Sequence, residues 1–243
     1  MKIKKIAAAL LAALLLAGCA NSGSAGNSSN ASSANNSYSQ IQSSQAAVYT
    51  TYDFSESDGV NLILYFDYSE NMGDTTDMTP DAITSASLAG EHPKGVERNN
   101  LLVIVDEIAA VTGADVFSVR ANETHDPSYM VMVGPAQDDI NHNRQFTFAE
   151  DVDLSDYDTV YVGMPVWWSR IPQPMKVFLE NHDFSGKTVI PFGIHRGSRF
   201  GQMLAQLSDL APDSTILDGY TVSATTANAT VREEADEWLN GLK

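Results

Sequence analysis

From Asn61 to the C terminus, short apolar runs of strand length alternate with longer segments whose apolar residues recur at helical spacing. That alternation excludes most architectures. A strand joined to a parallel neighbour needs a crossover, and a helix of ten or more residues supplies one, so the pattern predicts a parallel sheet with helices on both faces. Strands are predicted at residues 61–66, 114–119, 159–164, 188–192 and 215–222. The first reads Asn-Leu-Ile-Leu-Tyr-Phe, as expected of a strand buried on both faces. Helices are predicted around Leu101, Ile104, Val105 and Ile108, around Met175, Phe178 and Leu179, around Met203 and Leu207, and around Val231, Ala235, Trp238 and Leu239. Asn99 or Asn100 is the expected N-cap of the first helix and Gly113 its stop. Pro174 suits the first turn of the second.

In a sheet of this kind ligands lie beyond the carboxyl ends of the strands. The informative loops are therefore those after Phe66, Met164 and Phe192. The second contains Pro165, Val166, Trp167, Trp168, Ser169 and Arg170, which places two adjacent tryptophans on a turn expected to be exposed. A flat aromatic ligand stacking on indole accounts for such a turn, as does a ring folded back into the core. The third contains Gly193, His195, Arg196, Gly197, Ser198, Arg199 and Gly201, glycines that let backbone amides approach a ligand and cations in a chain with few of them.

The first 18 residues read as a removable export leader: three lysines, an Ala/Leu run too short to span a bilayer comfortably, and small residues before Cys19. The ending Leu16-Ala17-Gly18-Cys19 resembles the bacterial lipobox, which implies lipidation at Cys19 and a location outside the cytoplasmic membrane. Cys19 is the single cysteine, so the chain can form no internal disulfide. Residues 19–57 are mostly Ser, Asn, Gly, Ala and Gln and read as a disordered tether, leaving one domain at 58–243. Removing residues 1–18 takes three of 14 basic residues and none of 31 acidic ones, moving the formal charge from −17 to −20. Such a surface repels nucleic acid and is accounted for by solubility outside the cell; a basic protein partner is the sharper alternative.

The residues from Tyr157 through Trp167-Trp168, then Phe178-Leu179-Glu180, Phe184-Ser185-Gly186-Lys187-Thr188, Pro191-Phe192 and the Gly/Ser loop, resemble the bacterial flavodoxin family. In that family a Pro-x-Trp-Trp loop and a Gly-Ser-rich loop flank the ring of flavin mononucleotide (FMN). The resemblance implies a flavodoxin-like three-layer α/β sandwich with five parallel strands in the order 2-1-3-4-5. It further implies FMN as cofactor, electron transfer or flavin reductase chemistry, and a redox protein or quinone as partner. The implied flavin contacts are Pro165, Val166, Trp167, Trp168, Gly193, His195, Arg196, Gly197, Ser198 and Gly201. For the phosphate they are Ser69, Asn71, Asn99 and Asn100. The first loop departs from the family: about 25 residues separate Asn71 from the helix, and Asn99-Asn100-Leu101 stands where the family has Gly-Asn-Thr. Asp67 and Glu70 repel a phosphate if they face it.

Two other classes fit parts of the chain. Asp67, Ser69 and Asn71 resemble the divalent-metal signature of von Willebrand A domains, whose oxygens follow the first strand of a similar sheet, so a flavodoxin-fold binding module without FMN is the alternative. A hydrolase using Ser69 or Ser198 with one of five scattered histidines lacks a nucleophile elbow.

Overall fold

The computed structural model describes residues 60–71, 98–126 and 129–242. The leader at 1–18, Cys19, the tether at 19–57 and the insertion at 72–97 lie outside these residues. Six strands form one wholly parallel sheet: β1 (Asn61–Tyr65), β2 (Asp115–Ser118), β3 (Thr159–Pro165), β4 (Thr188–His195), β5 (Thr215–Ile216) and β6 (Tyr220–Ser223). Their order is β2-β1-β3-β4-β5, with β6 also pairing β4. The fifth position, expected as one strand over 215–222, is thus filled by two short ones. Between the two pairings, Leu217, Asp218 and Gly219 stand opposite Ile190 and Pro191, three residues against two, and Pro191 brings no N–H to the ladder.

Among the described residues five α-helices flank the sheet: α1 (Asn100–Thr112), α2 (Tyr129–Asn141), α3 (Gln173–Glu180), α4 (Met203–Leu210) and α5 (Asn228–Gly241). Helix α1 starts where the Asn99 side chain accepts the Leu101 N–H and ends at Gly113 in the left-handed region, whose N–H bonds Ala109 O. Side chains alternate along each strand, so Leu62, Leu64, Val160 and Val162 pack on one face with Met175, Phe178 and Leu207. Ile63, Tyr65, Tyr161 and Ile190 pack on the other with Leu101, Ile104, Val231 and Leu239. These two cores define the three layers. Among the described residues no helix is long and apolar enough to cross a membrane.

Helix α2 is not among the helices the sequence predicts. Its buried residues Met132, Ala136 and Asp139 do recur at helical spacing, but one of the three is a carboxylate, and Pro135 breaks the run. Met132 and Ala136 pack against Tyr68 with Trp167. Asp139 is held inside by His125 Nε2 at 3.1 Å and Arg144 at 3.1 Å. This helix therefore leans on the loops that follow β1 and β3.

Candidate functional site

The carboxyl ends of β1, β3 and β4 bring the three unusual loops together with the N-terminus of α1. After β3 the chain makes a two-residue turn. Trp167 N–H donates to Arg170 O at 3.1 Å and Arg170 N–H to Trp167 O at 2.7 Å, with φ of +49° at Trp168 and +61° at Ser169. Two consecutive positive φ values are the geometry of a type I′ turn, ordinarily given to Asn and Gly. A tryptophan there carries strain of about 1–2 kcal/mol, and such strain gathers at functional sites.

The two tryptophans part company at this turn. Trp167 folds inward, its ring edge-on to Phe66 and Tyr68 at 5.6 Å each and to His125 at 5.5 Å. Trp168 remains 48% exposed, with its Nε1–H donated to Val133 O on α2 at 3.3 Å. The exposed aromatic face of this site is therefore Trp168, while Trp167 supports it from below. Pro165 is the last, buried residue of β3, and Val166 packs into the core.

The loop after β4 is pinned to that turn, since Gln202 N–H donates to Ser169 O at 2.7 Å and a Cβ on Gly201 would meet the same oxygen at 2.6 Å. Gly201 permits loop to pack on loop. Gly193 has a similar role inside the sheet, where a Cβ would stand 2.6 Å from Met164 O. Close packing thus accounts for glycine at both positions. Gly197, with φ of +109°, has open space around it. Its N–H donates to His195 Nδ1 at 2.8 Å, which fixes the neutral imidazole with its proton on Nε2. Burial and then the charge of Arg199 hold the His195 pKa below its ordinary value. Ser198 Oγ donates to Arg199 O at 3.3 Å. Arg170, Arg196 and Arg199, on these two loops, enter none of the ion pairs among the described residues. In an acidic chain they form the cationic part of this end of the sheet.

At the first loop the candidate phosphate ligands are largely engaged within the protein. Asn71 is fully buried: its Nδ2 donates to Asp67 O at 2.8 Å and Val119 O at 3.1 Å, and its Oδ1 accepts from Ala121 N at 2.8 Å. Asn100 donates to Ser223 O and Thr226 O and accepts from Asn228 at 2.6 Å, tying α1 to the turn before α5. Neither amide is available to a phosphate, which corrects the sequence reading of both. With the Asn71 oxygen spent on a backbone N–H, the Asp67/Ser69/Asn71 metal alternative also loses a ligand. Among the described residues no group of three or more His, Cys, Asp or Glu side chains is placed to hold a metal ion. Glu70 is held by the Tyr65 and Ser118 hydroxyls, with Arg120 at 3.9 Å.

Asp67, 1% exposed, accepts from Ser69 N at 2.7 Å, from Ser69 Oγ at 2.6 Å and from Asn99 Nδ2. Burial pushes its carboxyl up to about 7, with Glu70 adding to the rise and the Ser69 and Asn99 hydrogen bonds opposing it. Unfolded, the group ionises near pH 4, so burying it costs stability progressively as pH climbs from there to about 7, and no further above. His125 acts on the acid side, because burial lowers its pKa and stability falls as pH drops below the ordinary histidine value. We expect Asp67→Asn to gain on the wild type by about 2 kcal/mol between pH 5 and pH 8, measured as the difference in urea unfolding free energy. A constant difference across that range would show that Asp67 keeps its ordinary pKa.

A profile of the family described as flavodoxin matches residues 102–242, more than half of the chain. Among solved structures, a candidate flavoprotein from Bacteroides eggerthii superposes with a TM-score of 0.53 at 19% identity, covering 76% of this chain and 98% of that one. Another from Bacteroides uniformis gives 0.52 at 18% identity, covering 75% and 98%. A Lactobacillus acidophilus flavoprotein in complex with FMN gives 0.48 at 16% identity, covering 74% and 99%. At these identities the likeness is one of fold. No curated protein matches the chain.

Proposed function

Since the chain belongs to the flavodoxin family, we propose that the loops at the carboxyl end of its sheet hold FMN and that the protein passes electrons through it. The observation that carries this reading is Trp168: a half-exposed indole on a left-handed two-residue turn, beside a loop whose arginines enter no ion pair among the described residues. Bound flavin supplies redox chemistry, and the protein supplies position and electrostatics. The indole of Trp168 offers a face on which a flat ring stacks. Arg170, Arg196 and Arg199 offset negative charge that gathers on the ring as it is reduced, against an acidic surface that opposes it. No side chain has to act as acid or base.

The fit is good for the ring and tighter for the phosphate. The N-terminus of α1, with Asn99 as cap, favours an anion; once Asn71 and Asn100 are set aside, the side-chain donors there are Ser69 and Asn99, both of which donate to Asp67. The leader and Cys19 add the rest of the reading: an exported, lipid-anchored domain that exchanges electrons with a membrane-bound quinone or a redox protein.

The test is titration of the exported domain with FMN, followed by flavin fluorescence and visible absorbance. We expect quenching and a shifted flavin band, with Trp168→Ala weakening affinity by about tenfold. Trp167→Ala should chiefly lower stability, because that ring packs on Phe66, Tyr68 and His125. Equal FMN affinity in wild type and Trp168→Ala would remove the stacking role.

A further inference from the structure

We propose that Asp67 is the residue that sets how this site treats a phosphate: its carboxylate occupies the donors a phosphorylated ligand must use, so such a ligand and ionised Asp67 exclude one another. This rests on the FMN reading above and extends it to the site's choice among flavins. The carboxylate lies directly after β1 and against the cap of α1, where the helix end favours negative charge. It takes both donors of Ser69 and the side-chain donor of Asn99, the pattern of hydrogen bonds a phosphate oxygen would take. The chain has placed an anion of its own on the anion site. Two anions sharing three donors, one of them 1% exposed, repel strongly at low local dielectric.

The way out is a proton. With Asp67 neutral, Ser69 and Asn99 can turn to the phosphate, and the carboxylic acid can itself donate to a phosphate oxygen. The groups around it favour that state. Glu70 on the same turn and Tyr65 on β1 bring no positive charge, Asn99 at the cap of α1 is neutral, Arg98 before it pairs with Asp106, and Arg120 stands against Glu70. Above about pH 7 binding of FMN therefore takes up a proton at Asp67, and FMN affinity falls as pH rises through neutrality. Riboflavin, with the same ring and no phosphate, has no such requirement.

The experiment measures dissociation constants of FMN and of riboflavin on the exported domain at pH 6.0 and 8.5, for wild type, Asp67→Asn and Asp67→Ser. For wild type we expect the FMN constant to rise at least tenfold across the range and that of riboflavin by less than threefold. Both variants should bind FMN more tightly than wild type at pH 8.5, with the rise abolished. The flavin phosphate itself titrates near pH 6, but it does so equally in the variants, which therefore serve as its control. Parallel pH profiles for the two flavins in wild type, or a rise that survives in both variants, would overturn the proposal while leaving the flavin site intact. Absence of binding of either flavin to all three proteins would instead overturn the FMN reading on which it rests. The near-isosteric asparagine removes a buried charge, so a folded variant is available for the comparison.

Discussion

Gly193→Ala lowers the unfolding free energy of the domain by about 3 kcal/mol or more, while the molecules that remain folded bind flavin as the wild type does. The reason lies in the pairing of the two central strands. Gly163 on β3 faces Phe192 on β4, and the next pair, Met164 and Gly193, reverses large and small. The Phe192 ring fills the space over Gly163 so closely that a Cβ there would fall 2.1 Å from it. At Gly193 the obstacle is a backbone oxygen, that of Met164 at 2.6 Å, and the two strands can relieve it only by moving apart in the middle of a close-packed sheet. Urea unfolding followed by circular dichroism measures the loss. A variant of unchanged stability that binds flavin poorly would return Gly193 to the ligand site, where the sequence places it.

Asn71→Ala is expected to cost about 4 kcal/mol by the same measurement, for a different reason. One amide satisfies three backbone groups: the carbonyls of Asp67 and Val119 and the N–H of Ala121. Truncation leaves all three without that partner in a fully buried position, at roughly 1–3 kcal/mol for each group that water fails to reach. Asn71→Asp distinguishes this from a loss of volume. It keeps an acceptor for Ala121 but turns acceptor towards two carbonyls, and should be as harmful as alanine at pH 8 and milder at pH 5, where the carboxyl can carry a proton. Stability within 1 kcal/mol of wild type for both variants would remove the clamp from the account.

The scaffold was legible because its signals are local or periodic. Asn99 capping α1, Gly113 closing it and the alternation of Leu62, Ile63, Leu64 and Tyr65 between two cores are each specified within a few residues. Helix α2 escaped because its inward face includes Asp139, whose place inside depends on His125 and Arg144, partners that no hydrophobic period announces. The interruption of the fifth strand escaped because it depends on Pro191 across the sheet, against whose carbonyl Gly219 packs too closely for a Cβ.

The loops were found as loops, and the roles within them were harder to assign. A short polar side chain after a strand has the same appearance in a sequence whether it awaits a ligand or holds distant backbone. Asn100 reaches Ser223, Thr226 and Asn228, more than 120 residues away in the chain. The paired tryptophans pose the same problem in miniature. Both are aromatic and adjacent, and only the sense of the turn between them decides which is core.

That turn also bears on how a ligand is met. Trp167 is clamped among three rings, and the backbone of its neighbour is closed by two hydrogen bonds, so the platform carrying Trp168 is already ordered in the free protein. An incoming ring has then to quieten only two side-chain torsions, and little of the contact energy is lost to entropy.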